Sequence, residues 1–297
     1  MVYIVDEVFG RDAPSGPVDM AIMTALEAVE LQAVLNLPGK WKEKSFKGDS
    51  AIYHCGVFTR SGKRMRVVAA ATGDVGMPAT AVLAMKIVER FRPRYLAMAG
   101  IAAGVEGNFG DILIADQSWD YGAGKVTAVA GSGSRFAPSP SPLPLDPVLK
   151  ARLGQFRLDG KMLAGISGKW PGTRPRFELS AQIGPIASGA SVVADRTVME
   201  DIVRRNRKVI GVEMETYAVF VAAAHCREPR PAAMSVKSVC DFGDSAKGDD
   251  YQRYAAYTSA RFLYEFALEH LAGPKDGGGK RRRGPNRTSP GQLGRES

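Results

Sequence analysis

Cysteine and histidine are scarce, with three of each in 297 residues. Cys55, Cys226 and Cys240 are odd in number and lack CxxC spacing, which argues against a disulfide framework or a zinc ribbon. His54, His225 and His270 form no HxH or HExxH pair, so no metal site is expected, and nothing implies a cofactor. A reducing, cytoplasmic setting is the expectation that follows. The apolar runs, such as that around Val219–Ala224, fall short of the roughly 20 residues a membrane span needs. The opening MVYIVDEVFGRD carries acids instead of the basic-then-apolar pattern of a signal peptide. Phosphate loops are missing too: no GxxxxGK[ST] occurs, and GSGSRF lacks the third glycine of the dinucleotide fingerprint. With no GxSxG elbow either, the chemistry must come from carboxylates and backbone groups.

The rest of the composition, 45% hydrophobic and 24% charged, is that of an ordinary globular protein of one or two domains. The net charge of +9 is unevenly placed. From Gly273 onward seven Lys/Arg face two acids, so five of those charges sit in GPKDGGGKRRRGPNRTSPGQLGRES. This stretch has too few apolar side chains to offset the entropy of ordering and reads as a solvated, disordered tail over 273–297. Its KRRR run could touch a polyanion or an acidic partner. The nearly balanced body gives no reason to expect nucleic acid.

Between a polar arm (1–17) and this tail, short apolar runs alternate with helical patterns. Val18–Met23 reads as a buried strand followed by a helical Leu26–Leu37, and Ala51–Thr59 with Lys63–Ala71 as a hairpin around RSGK. Met77–Phe91 has helical spacing and stops before Pro93. Further strands are expected at Tyr95–Ala99, Asp111–Ala115, Leu163–Ser167, Ile183–Ser188, Val209–Val212 and Ser235–Val239. Further helices are expected at Pro147–Phe156, Arg196–Arg205, Glu215–Cys226 and Asp250–Leu271. Residues 131–147, rich in Ser and Pro, read as a loop. The alternation predicts one α/β domain over 18–272, with a mixed or parallel sheet and helices on both faces.

Several strands end in small residues or acids, where open α/β sheets bind ligands. The set comprises VDMAIMTAL with a following Glu, ATGDVG, AGIAAGVEGNFGDILIAD, IASGASVVAD, GVEMETYAV and VKSVCDFGD. Together these segments resemble the nucleoside phosphorylase/nucleosidase superfamily, especially methylthioadenosine/S-adenosylhomocysteine nucleosidases, over about residues 18–271. The resemblance implies a mixed, strongly curved central sheet and a homodimer or larger assembly. It also implies a small-molecule nucleoside or nucleotide substrate, and hydrolysis of the N-ribosyl bond of an adenine nucleoside.

That cleavage needs an acid for the departing purine, a group to fix the ribose and a carboxylate to activate water. By resemblance Asp241 is the purine acid, which a dry pocket must raise above the usual carboxylate range of about 3.9 if it is to donate at pH 7; otherwise it caps a turn. Glu215 matches the acceptor of the ribose 2′- and 3′-hydroxyls, apt because a carboxylate only accepts. Met214 matches a methionine beneath the ribose, or is plain core. Glu213 joins the binding set, or serves as a charge at a helix start. The water-activating glutamate is Glu30, favoured by its neighbours Leu31, Ala33 and Val34, although it lies one position further from Ala25–Leu26 than expected; Glu27 is the alternative. Val192 and Val193 stand where many relatives have Phe–Ile, giving less surface for stacking on adenine. Ile101 stands where some nucleosidases carry a hydroxyl. Gly73 and Gly100, in the glycine segments, complete the expected contacts.

Phosphorylase relatives use arginines near the glycine turns, whereas Thr72–Ala84 and Gly100–Ala115 contain no Arg or Lys. Hydrolysis is therefore expected over phosphorolysis. The 5′ substituent stays open. Arg174 and Arg176 in WPGTRPRF have planar forks suited to phosphate, so an AMP- or ATP-type nucleotide is an alternative substrate unless they decorate a surface loop. A nucleoside-binding sensor without activity is the remaining alternative.

Overall fold

The computed structural model describes residues 18–129, 131, 133–243 and 251–274; the expected arm and all but the first two residues of the expected tail lie outside them. In chain order come β1 (Met20–Thr24), a π-helical turn α1 (Glu27–Leu31), α2 (Gln32–Leu35), β2 (Lys42–Lys44), β3 (Tyr53–Arg60), β4 (Lys63–Ala71) and α3 (Met77–Phe91). There follow β5 (Tyr95–Gly104), β6 (Ile112–Asp120), β7 (Gly124–Val129), β8 (Gly133–Pro138), β9 (Leu143–Pro144), α4 (Pro147–Phe156) and α5 (Gly160–Gly168). The remainder comprises β10 (Ala181–Ser188), α6 (Arg196–Arg205), β11 (Gly211–Glu213), α7 (Thr216–His225), β12 (Ala232–Asp241), α8 (Gln252–Phe266), α9 (Ala267–Leu271, π-helical) and β13 (Gly273–Pro274).

The strand order β11-β10-β6-β12-β5-β1-β4-β3-β2 is mixed: β1 runs parallel to β4 and β5, while β12 runs parallel to β5 but antiparallel to β6. β11 also pairs with β5, so five strands close on themselves. This closure is the strong curvature the resemblance implies. Helices cover both faces. α3 and α7 bury Leu83, Ile87 and Val219 against β1 and β4, and α8 buries Phe262 and Phe266 on the other side with Ile22, Val67 and Val236. α3 follows from its sequence: buried Thr80, Leu83, Ala84, Ile87, Val88 and Phe91 recur at helical spacing, with Pro78 in its first turn. Among the described residues, no helix is long and apolar enough to cross a membrane.

Three expectations need correction. The segment Leu163–Ser167 is helical, within α5: the Asp159 carboxylate caps the Met162 N–H, and the buried pair Leu163 and Ile166 is one helical turn apart. An apolar run this short does not distinguish strand from helix by periodicity. The loop at 131–147 is in part a hairpin, β7 with β8, and β9 adds to β6. Proline is tolerated there because Pro138 ends its strand and Pro144 lies in a two-residue edge strand. Thirdly, the strand expected at Tyr95–Ala99 does not stop at Ala99. β5 continues through the glycine segment to Gly104, paired with β12 as far as Ala103 and with β11 at Gly104.

Candidate active site

The ends of β1, β5, β11 and β12 surround a cavity of about 210 Å3, bordered by Glu30, Ile101, Val193, Met214, Glu215 and Asp241. Strand ends and the α1 turn thus bring together residues more than 200 positions apart in sequence.

Glu30 is buried, and three backbone N–H groups hold its carboxylate. Ala25 and Leu26 donate to Oε2 at 2.7 and 2.9 Å, and Ile101 donates to Oε1 at 2.8 Å. The extra residue between Leu26 and Glu30 is absorbed by the π turn, in which the N–H of Leu31 reaches back five residues to the Leu26 carbonyl at 2.9 Å. A Cβ at position 100 would overlap the Glu30 carboxylate, so Gly100 lets the acid lie against β5. Glu27, in the same turn, is exposed and borders a different groove.

Glu213 and Glu215 flank Met214, which borders the cavity. Glu213 is occupied by the scaffold: it accepts from the Ser188 and Thr216 hydroxyls and from the N–H groups of Glu215 and Thr216, so its carboxylate lies at the start of α7. Glu215 is more open, with Oε1 accepting from the Gly76 N–H at 3.0 Å and Oε2 from Lys237 Nζ at 3.2 Å. Burial pushes the Glu215 carboxyl above the usual range; Lys237 pulls it down, and Glu213 and Glu30 push it up again. Lys237 was not anticipated from the sequence. Burial by itself would depress its ammonium, yet Glu215, Glu213 and Glu30 together hold it above its ordinary value. The signal was present in the sequence: a lysine amid the apolar strand Ser235–Val239 demands a buried acid as partner.

Asp241 is buried and accepts from the Gly243 N–H at 2.9 Å. A bulge between Val239 and Asp241 places Cys240 as an extra residue, so both Cys240 and Asp241 border the cavity although neighbours in a regular strand face opposite sides. The Cys240 thiol lies 3.2 Å from Asp241 Oδ2. Cys240 is a second wall residue that strand periodicity hides. Val193 is buried in the wall, while Val192 borders the cavity but is 60% exposed.

Three expected contacts lie elsewhere. Gly73 belongs to the groove of about 830 Å3 next to the cavity, and the glycine of its turn that reaches the site is Gly76. Arg174 and Arg176 are exposed and border a separate groove with Ser167 and Phe177. The loop before β10 carries them away from Glu215. Among the described residues, no group of three or more His, Cys, Asp or Glu is placed to hold a metal ion.

Known proteins resemble this chain in sequence and in fold. Over 256 residues the chain is 32% identical to the uncharacterized protein y4jS of Sinorhizobium fredii, covering 85% of this chain and 62% of that protein. It is 27% identical over 265 residues to the ATP nucleosidase Cap17 of Escherichia coli, covering 84% and 50%. The chain therefore spans between half and two thirds of the length of these relatives. The fold is also that of the 5′-methylthioadenosine/S-adenosylhomocysteine nucleosidase of Neisseria meningitidis, solved with methylthio-immucillin-A, at TM-score 0.64 and 20% identity over 84% of this chain and 98% of that one. Since the model of the phosphorylase superfamily matches residues 19–268, nearly the whole described domain, the chain belongs to that superfamily.

Proposed function

We propose that the protein hydrolyses the N-ribosyl bond of a 5′-substituted adenine nucleoside of the methylthioadenosine/S-adenosylhomocysteine type and releases adenine. The convergence of Glu30, Glu215 and Asp241 from three separate elements on one small cavity carries this reading. Glu215 accepts the ribose hydroxyls and fixes the sugar. Asp241 gives a proton to the purine as its bond to the ribose lengthens, and Glu30 takes a proton from the water that attacks the oxocarbenium-like carbon. Gly100 and the three N–H groups hold the Glu30 carboxylate in place, so little reorganisation accompanies that step.

The 5′ substituent leaves past Val75, which borders both the cavity and the adjoining groove. That groove mixes Leu35, Ile52 and Val82 with Glu27, Glu43 and Asp74, and its Lys86 is engaged by Asp49 at 2.9 Å. Such a lining suits an uncharged or zwitterionic group, because the carboxylates repel a polyphosphate. The likeness to an ATP nucleosidase favours a second reading, a 5′-phosphorylated adenine nucleotide. A homodimer or larger assembly belongs to the same proposal and is checked by light scattering of the purified protein; a cytoplasmic location belongs to it too and is checked by cell fractionation.

The test is to incubate the protein with methylthioadenosine, S-adenosylhomocysteine, adenosine, AMP and ATP, with and without phosphate, and to identify the products. Free adenine from the first two without phosphate is expected. Adenine from AMP or ATP alone would favour the second reading. Strict phosphate dependence with a ribose-1-phosphate product overturns hydrolysis, and binding without adenine release makes the protein a sensor.

A further inference from the structure

Lys237 sits in the middle of β12 with its side chain fully buried, outside the residues that border the cavity. Its Nζ lies 3.2 Å from Oε2 of both Glu213 and Glu215. An ammonium is removed from water at such a site only where charge and hydrogen bonds compensate it. The two acids differ in what else they hold. Glu213 has the hydroxyls of Ser188 and Thr216 and two backbone N–H groups, whereas Glu215 has the Gly76 N–H besides the lysine. Removing the lysine leaves Glu213 well satisfied and Glu215 with one donor.

We propose that Lys237 is a positioning residue that keeps Glu215 ionised as the ribose acceptor, by lending one ammonium to two adjacent buried carboxylates; the ribose role rests on the nucleosidase reading. Among the described residues, the titratable groups facing Glu215 are Glu213 from β11, Glu30 from α1 and Lys237 from β12, with Asp241 across the cavity at the end of β12. Ser188, Thr216 and Ser235 add neutral hydroxyls around Glu213 and Lys237. Among these described residues, every group facing Glu215 other than Lys237 is thus a carboxyl. Without the lysine, Glu215 takes up a proton at higher pH. A protonated carboxyl has a donor in place of an acceptor, so it no longer receives both ribose hydroxyls. The lysine also holds Oε2 while Gly76 holds Oε1, which fixes the plane of the carboxylate.

The experiment compares wild type, Lys237→Met and Glu213→Gln by two readouts. One is the pH profile of kcat/KM for adenine release. The other is a 13C-NMR titration of the glutamate carboxyls, with Glu215 assigned by its loss in Glu215→Gln. In Lys237→Met the acid limb and the Glu215 titration should both move up by about one pH unit or more, so that kcat/KM at a pH on that limb falls about tenfold per unit and recovers as pH rises. In Glu213→Gln both should move down, because the ammonium then serves Glu215 alone. An unchanged limb and titration in Lys237→Met, with only a lower Tm, makes the lysine merely structural and overturns the proposal. If Lys237→Met does not fold, Glu213→Gln decides, and an unmoved Glu215 titration overturns it. If wild type releases no base from any nucleoside, the nucleosidase reading fails, yet the NMR titrations still decide whether Lys237 sets the ionisation of Glu215.

Discussion

The cavity and the groove beside it carry the same kinds of acid in opposite surroundings. Glu30 and Glu27 share one π turn, yet Glu30 is buried under three N–H donors while Glu27 is exposed in the open groove. Asp241 is likewise buried in the cavity wall, and Asp74 is exposed in the groove. Water screens the groove carboxylates, whereas each charge in the cavity acts at low effective dielectric and within fixed geometry. Residue type therefore identifies candidates, and burial with backbone donors selects among them.

The largest effect that sharpens this contrast is expected at Asp241. Asp241→Asn keeps the size and a hydrogen bond to the purine but has no acidic proton, so turnover should fall by about 10²–10⁴-fold, with ligand affinity and Tm little changed. Asp74→Asn should leave turnover near wild type. Activity of Asp241→Asn should recover most on a substrate whose leaving group needs no proton. Equal losses on both substrate types with a lower Tm would instead make Asp241 a scaffold residue.

Next comes Glu215. Truncation to Ala should cost about 2–4 kcal/mol of transition-state stabilisation, read as kcat/KM. Near-wild-type kcat/KM in the variant removes the ribose role. Because the Glu215 carboxyl lies above its ordinary value, the wild-type acid limb should also lie above about pH 4.3. The sign is fixed: the acceptor must be ionised, so activity is lost as pH falls through the raised value. An acid limb below the ordinary glutamate range contradicts this.

These residues were unequally legible in the sequence. Asp241 and Glu215 stood in recognisable segments, and the helices Met77–Phe91, Pro147–Phe156 and Arg196–Arg205 were bounded by proline, caps and apolar spacing. Glu30 was ambiguous against Glu27 because spacing arguments assume a regular helix, and the π turn adds a residue that only its backbone hydrogen bonds reveal. Cys240 was hidden by the bulge, which breaks the period of two. For Arg174 and Arg176 the sequence left phosphate contact and a surface loop both open, and the structure places them in a separate exposed groove, because closeness in sequence to the IASG segment is not closeness to the cavity. Lys237 was missed because a basic residue in a strand attracts notice only once its acids are known to be buried beside it.

A smaller effect is expected at the backbone that lets Glu30 approach. Gly100→Ala places a methyl group where the carboxylate lies and should destabilise the fold by about 1–3 kcal/mol, as overpacking does, with loss of activity. Gly73→Ala, at a left-handed turn with open space around its Cβ position, should lower Tm through backbone strain while kcat/KM of the folded protein is retained. Full activity in Gly100→Ala would mean that the seat of Glu30 is not critical.

The most direct measurement is to quantify free adenine and free ribosyl product from methylthioadenosine in phosphate-free buffer, for wild type, Glu30→Gln and Glu27→Gln side by side. Wild type and Glu27→Gln should release both products at similar rates, and Glu30→Gln should be slower by about 10²–10⁴-fold. Equal rates for wild type and Glu30→Gln, or a loss confined to Glu27→Gln, would contradict the assignment of hydrolysis to this cavity.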